Sequence, residues 1–281
     1  MASNPAPRFT RPHWLPAPPS PRAQEWLWRL TVLAFALSAL LLPIAWTVRY
    51  TAQNESWWER GFDRFNVERR TGLDRAELDR AGAELRAYFL NDAARADIAV
   101  TNQAGQSEAL YTEREVVHLI DVKRLLQSTY DAGWAAIGFL IAFLIGVILW
   151  QRRNGVAAVL DKFASAGFYA GVGVTAGIAV LGVVAITGFD DAFRQFHLLF
   201  FTNDLWQLSN RDRLIQMFPQ RFFFETTMLI AGTTIGLAVV LATSGYWYRR
   251  RYGHAIPAPA PAAISSHPSS SQEVPRSSRE S

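Results

Sequence analysis

Hydrophobic positions along the 281-residue chain gather into four long runs separated by ordinary polar sequence. The runs are Leu30–Val48, Gly133–Trp150, Ala166–Phe189 and Thr226–Tyr248, and none contains Asp, Glu, Lys, Arg or His. About 20 helical residues cross a bilayer core, so each run is long enough to do so. Periodicity alone does not separate a buried helix from a membrane span, but four uncharged runs in one chain do. The pattern predicts an all-α membrane protein, a four-transmembrane-helix bundle within residues 26–252. The first run is too long for the apolar core of a signal peptide and follows a Pro-rich stretch, so an uncleaved anchor is expected. Trp26, Trp28, Trp46, Trp134, Trp150 and Trp247 sit at or near run ends, where amphipathic rings favour the headgroup layer.

Between the runs the pattern changes. In the first long connection, 49–132, Trp57-Trp58 suggests an interfacial position. Leu78, Ala81, Leu85 and Phe89 recur at three and four, which predicts an amphipathic helix over Leu73–Phe89. Asp74 and Glu77 have the D-x-x-E spacing of a capped helix start. Ile98–Thr101 and Leu110–Thr112, around a Gln-Ala-Gly-Gln turn, suggest a small hairpin. Tyr111–Ser128 is again helical by period and leads toward the second run. The third connection, 190–225, is different in kind. Residues 189–224 hold nine of the chain's 18 Phe, more ring surface than an aqueous loop exposes. This connection is expected to lie along, or dip into, the membrane surface.

Charge orders these segments. Residues 1–29, 151–165 and 249–281 together hold 12 basic and 4 acidic side chains, whereas 49–132 and 190–225 hold 16 and 20. Basic loops stay inside, so both ends are expected in the cytoplasm of a bacterial cell and both long connections outside. The net charge of +4 hides this asymmetry, and topology with anionic headgroups accounts for it without nucleic acid. Residues 1–25 and 253–281, rich in Pro or Ser, are read as disordered cytoplasmic tails. The Gly-xxx-Gly spacings at Gly167/Gly171, Gly173/Gly177 and Gly232/Gly236 suggest close helix packing.

Composition narrows the chemistry. Cys is absent, which excludes disulfides, thiolate catalysis and iron–sulfur clusters. The uncharged spans argue against proton relays and ion pathways. Neither long connection has a G-x-S-x-G elbow or an S-x-x-K, so a serine acyl-enzyme is not indicated. Of five His, His13, His254 and His267 fall in the tails, leaving His118 and His197 on the outer side. Two histidines without further ligands make a weak zinc set, and no metal or cofactor is expected. Arg114, His118 and Asp121 share one helical face, where Asp121 is placed to hold the imidazole in one tautomer or simply to form a polar rim. His197 sits among phenylalanines in QFHLLFFTNDLWQL, which also carries Asn203, Asp204 and Trp206.

At these two segments the chain resembles the lipoprotein intramolecular transacylase family of four-helix bacterial membrane proteins. The matching strings are L-Y-T-E-R-E-V-V-H-L-I-D-V-K-R-L-L (110–126) and F-H-L-L-F-F-T-N-D-L-W (196–206), followed by Asp212 and the F-P-x-x-F of Phe218–Phe222. The likeness runs over about residues 27–250. It implies a diacylated lipoprotein substrate and membrane lipids as partners. The sn-2 acyl chain of the diacylglyceryl-cysteine would move to the cysteine amine, leaving a lyso-form lipoprotein. It also implies that His118 and His197 are the paired catalytic histidines. Asp121, Asn203, Asp204, Trp206 and Arg114 would orient them or touch substrate. The competing reading is a non-enzymatic scaffold that binds a partner or lipid through its outer loops. Distance separates the two, since an acid and a base acting on one substrate must lie within about 12 Å around a shared cavity.

Overall fold

The computed structural model describes residues 20–253. Its long helices are α1 (Pro21–Gln53), α5 (Glu113–Gln151), α6 (Val156–Thr187) and α9 (Gln220–Tyr252); each carries one of the four apolar runs, except that the third run's last two residues lie beyond α6, with Phe189 opening the next helix. The chain is therefore an all-α, four-span membrane protein. The N-terminal tail boundary drawn at residue 25 falls inside α1, which starts at Pro21 behind the Ser20 cap. His13, His254 and His267 lie outside the described residues.

Each long helix has 32 to 39 residues. At 1.5 Å per residue these exceed the roughly 30 Å of bilayer hydrocarbon, so their ends project from it. The projection matters most on α5, whose first twenty residues precede the apolar run and carry His118. In the bundle, α6 packs along α9 and α1 along α5, with α1 also touching α6 and α9. Backbone proximity holds the α6–α9 pair together. A Cβ on Gly171 would stand 2.4 Å from the Ala238 carbonyl oxygen, and one on Gly245 2.4 Å from that of Ala164. Gly167 meets the Leu241 carbonyl in the same seam. Gly173, Gly177, Gly232 and Gly236 face open space, so two of the three Gly-xxx-Gly spacings are not packing motifs in this fold. The seam uses Gly245 instead.

The two long connections form one packed subdomain outside the helix bundle, called outer for that position alone. α2 (Glu55–Arg64), α3 (Val67–Thr71) and α4 (Arg75–Tyr88) follow α1. The antiparallel pair β1 (Ala99–Thr101) and β2 (Ser107–Ala109) comes next, and α7 (Phe189–Phe200) and α8 (Arg213–Met217) come from the third connection. Asp74 caps α4 by accepting from the Glu77 N–H, and the stripe Leu78, Ala81, Leu85 and Phe89 is buried. The Glu77 carboxylate does not complete a capping box; it takes the Thr101 N–H and so ties β1 to α4. The second strand lies three residues earlier than the sequence suggests. Asn102 closes a tight turn by accepting from the Ala104 and Gln106 N–H groups, and Thr112 is needed as the cap of α5. Trp58 is not interfacial. α2 turns it into the subdomain core against Phe62 and Phe218, with its indole N–H donating to the Thr51 carbonyl at 2.8 Å.

One buried carboxylate joins the two connections. Glu115, fully enclosed, accepts from the Thr112 N–H and hydroxyl with one oxygen and from the Leu214 N–H with the other, at 2.7–2.8 Å. The start of α5 is thereby fixed to the start of α8.

Candidate active site

His118 lies in the second turn of α5, outside the apolar run, three residues after Glu115 and on nearly the same helical face. His197 lies near the end of α7. The two rings come within 6.1 Å, centroid to centroid, inclined by 33°. Both are about 94% enclosed and line one cavity of about 250 Å³. Its walls are otherwise almost wholly apolar: Val48 and Thr51 of α1, Leu119, Val122, Leu125 and Leu126 of α5, and a set of Phe rings. The separation meets the distance condition for paired acid–base chemistry; a scaffold reading has no need of it.

Aromatic rings hold His197. Its imidazole is flanked by Phe193 at 4.4 Å, Trp206 at 4.9 Å, and Phe196 and Phe201 at 5.4 Å each. Phe201 also stands edge-on to His118 at 5.3 Å, so one ring sets the spacing of the pair. His197 Nδ1 lies 2.6 Å from the Phe193 carbonyl oxygen. A carbonyl only accepts, so Nδ1 carries the hydrogen and the neutral ring keeps its lone pair on Nε2. Burial lowers the His197 pKa below the usual imidazole value, and the Phe193 contact partly offsets this by favouring the charged ring. His118 is pushed down to about 4 by burial, with the neighbouring His197 adding to the drop and Asp121 opposing it. Both imidazoles are neutral at pH 7.

His118 Nδ1 is buried with no hydrogen-bond partner. Asp121, one turn further on, does not orient it. The Asp121 carboxylate accepts instead from Asn203 Nδ2 at 2.8 Å and from Arg124 at 3.1 Å. Arg114, a turn before His118, donates to the backbone carbonyls of Asp204 and Leu205. Asn203 further accepts from the Leu205 N–H. Arg114, Asp121 and Asn203 thus clamp the segment after α7 to α5, which sets Trp206 against His197. The Asp204 side chain is exposed and meets Gln207, away from the rings.

The expected lipid-facing phenylalanines divide. Of the nine, only Phe196 and Phe200 are exposed, along with Leu198 and Leu199 on the outer face of α7. The others are buried or half-buried, and Phe193, Phe201, Phe218, Phe222 and Phe223 line the cavity. A twelve-residue amphipathic helix accounts for part of the split, because the period that turns Phe193 and His197 inward turns Leu199 outward. Glu115 was missed in the sequence, although the T-x-x-E box of Thr112 and Glu115 marks it. Its reach to Leu214, 99 residues away, has no local signal. Among the described residues no group of three or more His, Cys, Asp or Glu is placed to hold a metal.

Three comparisons with known proteins bear on this geometry. The family model of lipoprotein intramolecular transacylase Lit matches residues 33–223. The solved structure of the membrane-integral transacylase Lit from Bacillus cereus aligns with a TM-score of 0.57 at 19% identity, covering 82% of this chain and all of that one. A variant of it with one histidine changed to arginine aligns at 0.60 and 18% identity, over 83% of this chain and 97% of the other. An uncharacterized protein of Aquifex aeolicus is 24% identical over 135 residues, 48% of this chain and 56% of the relative. The chain thus spans little more than half the length of that curated relative.

Proposed function

The chain belongs to the lipoprotein intramolecular transacylase Lit family, and from that premise we propose that it moves an acyl chain within a diacylglyceryl-cysteine lipoprotein. The observation carrying this reading is the pair of enclosed, neutral imidazoles on one apolar cavity, one of them fixed in its tautomer. An N-terminal amine has a pKa of about 7.7–8.0 and is mostly protonated at neutral pH, so its attack needs a base. In our scheme the free amine attacks the sn-2 ester carbonyl and His197 Nε2 takes a proton from nitrogen as the C–N bond forms. The C–O bond then breaks, and His118 donates its ring hydrogen to the departing glycerol oxygen. The His197 imidazolium replaces that proton. One ester becomes one amide, a proton passes from nitrogen to oxygen, and both rings end neutral.

His197 is assigned as base because its accepting nitrogen is fixed by the Phe193 carbonyl. His118 is assigned as donor because its ring lies 6.1 Å from that of His197, whose imidazolium restores the hydrogen it gives up. Nucleophile and ester belong to one molecule, so positioning supplies much of the acceleration without a covalent acyl-enzyme. The acyl chain occupies the carbon-lined cavity. The outer subdomain faces the extracytoplasmic side, a placement supported by the basic character of 1–29, 151–165 and 249–281.

The test is expression in a bacterial strain whose lipoproteins are only diacylated, followed by mass mapping of N-terminal lipopeptides. N-acylated, mono-acylglyceryl peptides are expected with the unaltered chain. His197→Ala and His118→Ala should each slow transfer by about 10²–10⁴-fold. Unshifted acyl groups with the unaltered chain, or full transfer by both variants, would overturn the reading.

A further inference from the structure

Two hollows of unlike chemistry meet on α5. The histidine cavity is walled by carbon, whereas a neighbouring hollow of about 300 Å³ is lined by Asp121, Arg124 and Ser128 of α5 and by Thr202 and Asn203 after α7. Leu125 and Phe201 border both, so the second hollow begins where the first ends. Asp121, Arg124, Leu125 and Ser128 recur at three, four and seven, one face of the helix. Asp121 is occupied by Asn203 and Arg124, and this fixes those two side chains in place. Ser128 and Thr202 are exposed residues of this lining.

We propose that this second hollow is a polypeptide subsite, taking the main chain of the residues that follow the lipidated cysteine. The inference rests on the transacylase reading and adds a second substrate contact to it. On that reading two unlike groups leave one cysteine. The acyl chain is hydrocarbon and belongs against carbon. The polypeptide has an N–H donor and a C=O acceptor at every residue, and each costs free energy if buried unpaired. With the cysteine amine between the rings, each further residue extends the chain by at most about 3.5 Å. The second and third residues therefore pass the shared Phe201 edge and enter the hollow. Hydroxyls, an amide and a guanidinium match a main chain that both donates and accepts. A phospholipid phosphate would meet the Asp121 carboxylate, which disfavours it.

The absence of native Cys allows a single-site test in the full chain. Ser128→Cys places one thiol in the hollow, and Gln106→Cys places one on the exposed β1–β2 turn as reference. The probe is a synthetic diacylglyceryl-cysteine tetrapeptide with a bromoacetyl group on its third side chain; intact-mass measurement reads the thioether. A bound probe presents its bromide at millimolar effective concentration, so Ser128→Cys should be labelled about a hundredfold faster than Gln106→Cys. An unreactive lipopeptide should suppress the labelling, and phosphatidylglycerol should not. Equal rates for the two thiols, or equal competition by phosphatidylglycerol, would overturn the subsite. Acyl transfer on the unreactive tetrapeptide is measured in parallel. Transfer without selective labelling removes the subsite alone. Selective labelling without transfer by the unaltered chain supports peptide binding and overturns the transacylase reading.

Discussion

Val180, Leu181, Val183 and Val184 on α6 are each more than half exposed, whereas Leu78, Leu85 and Leu119 of the outer subdomain are at most 1% exposed. Both regions are rich in the same aliphatic residues, yet they use them in opposite directions. The bundle turns large side chains toward lipid, where burial against protein gains little, and brings its helices together over glycine and alanine. The outer subdomain meets water, so it packs its aliphatic and aromatic side chains inward. The site lies at the junction. His118 is carried on the segment of α5 that leaves the bundle, and His197 on a helix whose apolar side covers the cavity. A rigid rod from one region and a packed lid from the other set the distance between the rings.

That contrast can be broken by substitution. Leu78→Ala should cost about 2–5 kcal/mol of outer-subdomain stability through the cavity it leaves, while Val183→Ala on the lipid face should change thermal stability by less than about 0.5 kcal/mol. Thermal unfolding of the two purified variants in detergent decides this; equal losses would mean that the span side chain is packed after all. In the bundle, Gly171→Ala should destabilise by about 1–3 kcal/mol because its Cβ has no space beside Ala238, whereas Gly236→Ala should be tolerated. A matching loss at Gly236 would place a helix contact where open space is described.

The smallest effect concerns pH and sharpens the role of the junction. The unfolded chain protonates His118 near pH 6.5, but the folded ring resists until about pH 4. The unfolded state thus binds more protons in this window, and stability falls as pH drops through it, by at most about 1.4 kcal/mol per pH unit. His197, also depressed, adds to the slope in the same sense. His118→Phe should flatten the dependence of unfolding temperature on pH between 6.5 and 4. An unchanged slope would show that His118 is accessible to protons in the folded state.

Much of this was legible from the chain. Uncharged runs long enough to cross a bilayer specify spans by composition alone, and the stripe from Leu78 to Phe89 specifies an amphipathic helix by period. The candidate histidines stood out because the other three lie in Pro- or Ser-rich ends and the spans contain none. The partners of Asp121 were not legible. Helical spacing placed it beside His118, but a hydrogen bond from Asn203, 82 residues later, takes the carboxylate instead. Two of the three glycine spacings failed for a similar reason. Spacing shows which glycines share a face, and only packing shows which face meets a helix.

By itself, then, the sequence determined the number of spans, the amphipathic helices and the two candidate histidines, since each depends on residues near one another in the chain. Tertiary structure alone decided that those histidines meet at 6.1 Å, that Phe193 fixes one tautomer, and that most of the phenylalanines roof a cavity instead of facing lipid. These depend on contacts across tens of residues, such as Glu115 with Leu214 and Arg114 with Asp204. No local propensity encodes such contacts, because each forms only after the helices have packed and enclosed the groups from water.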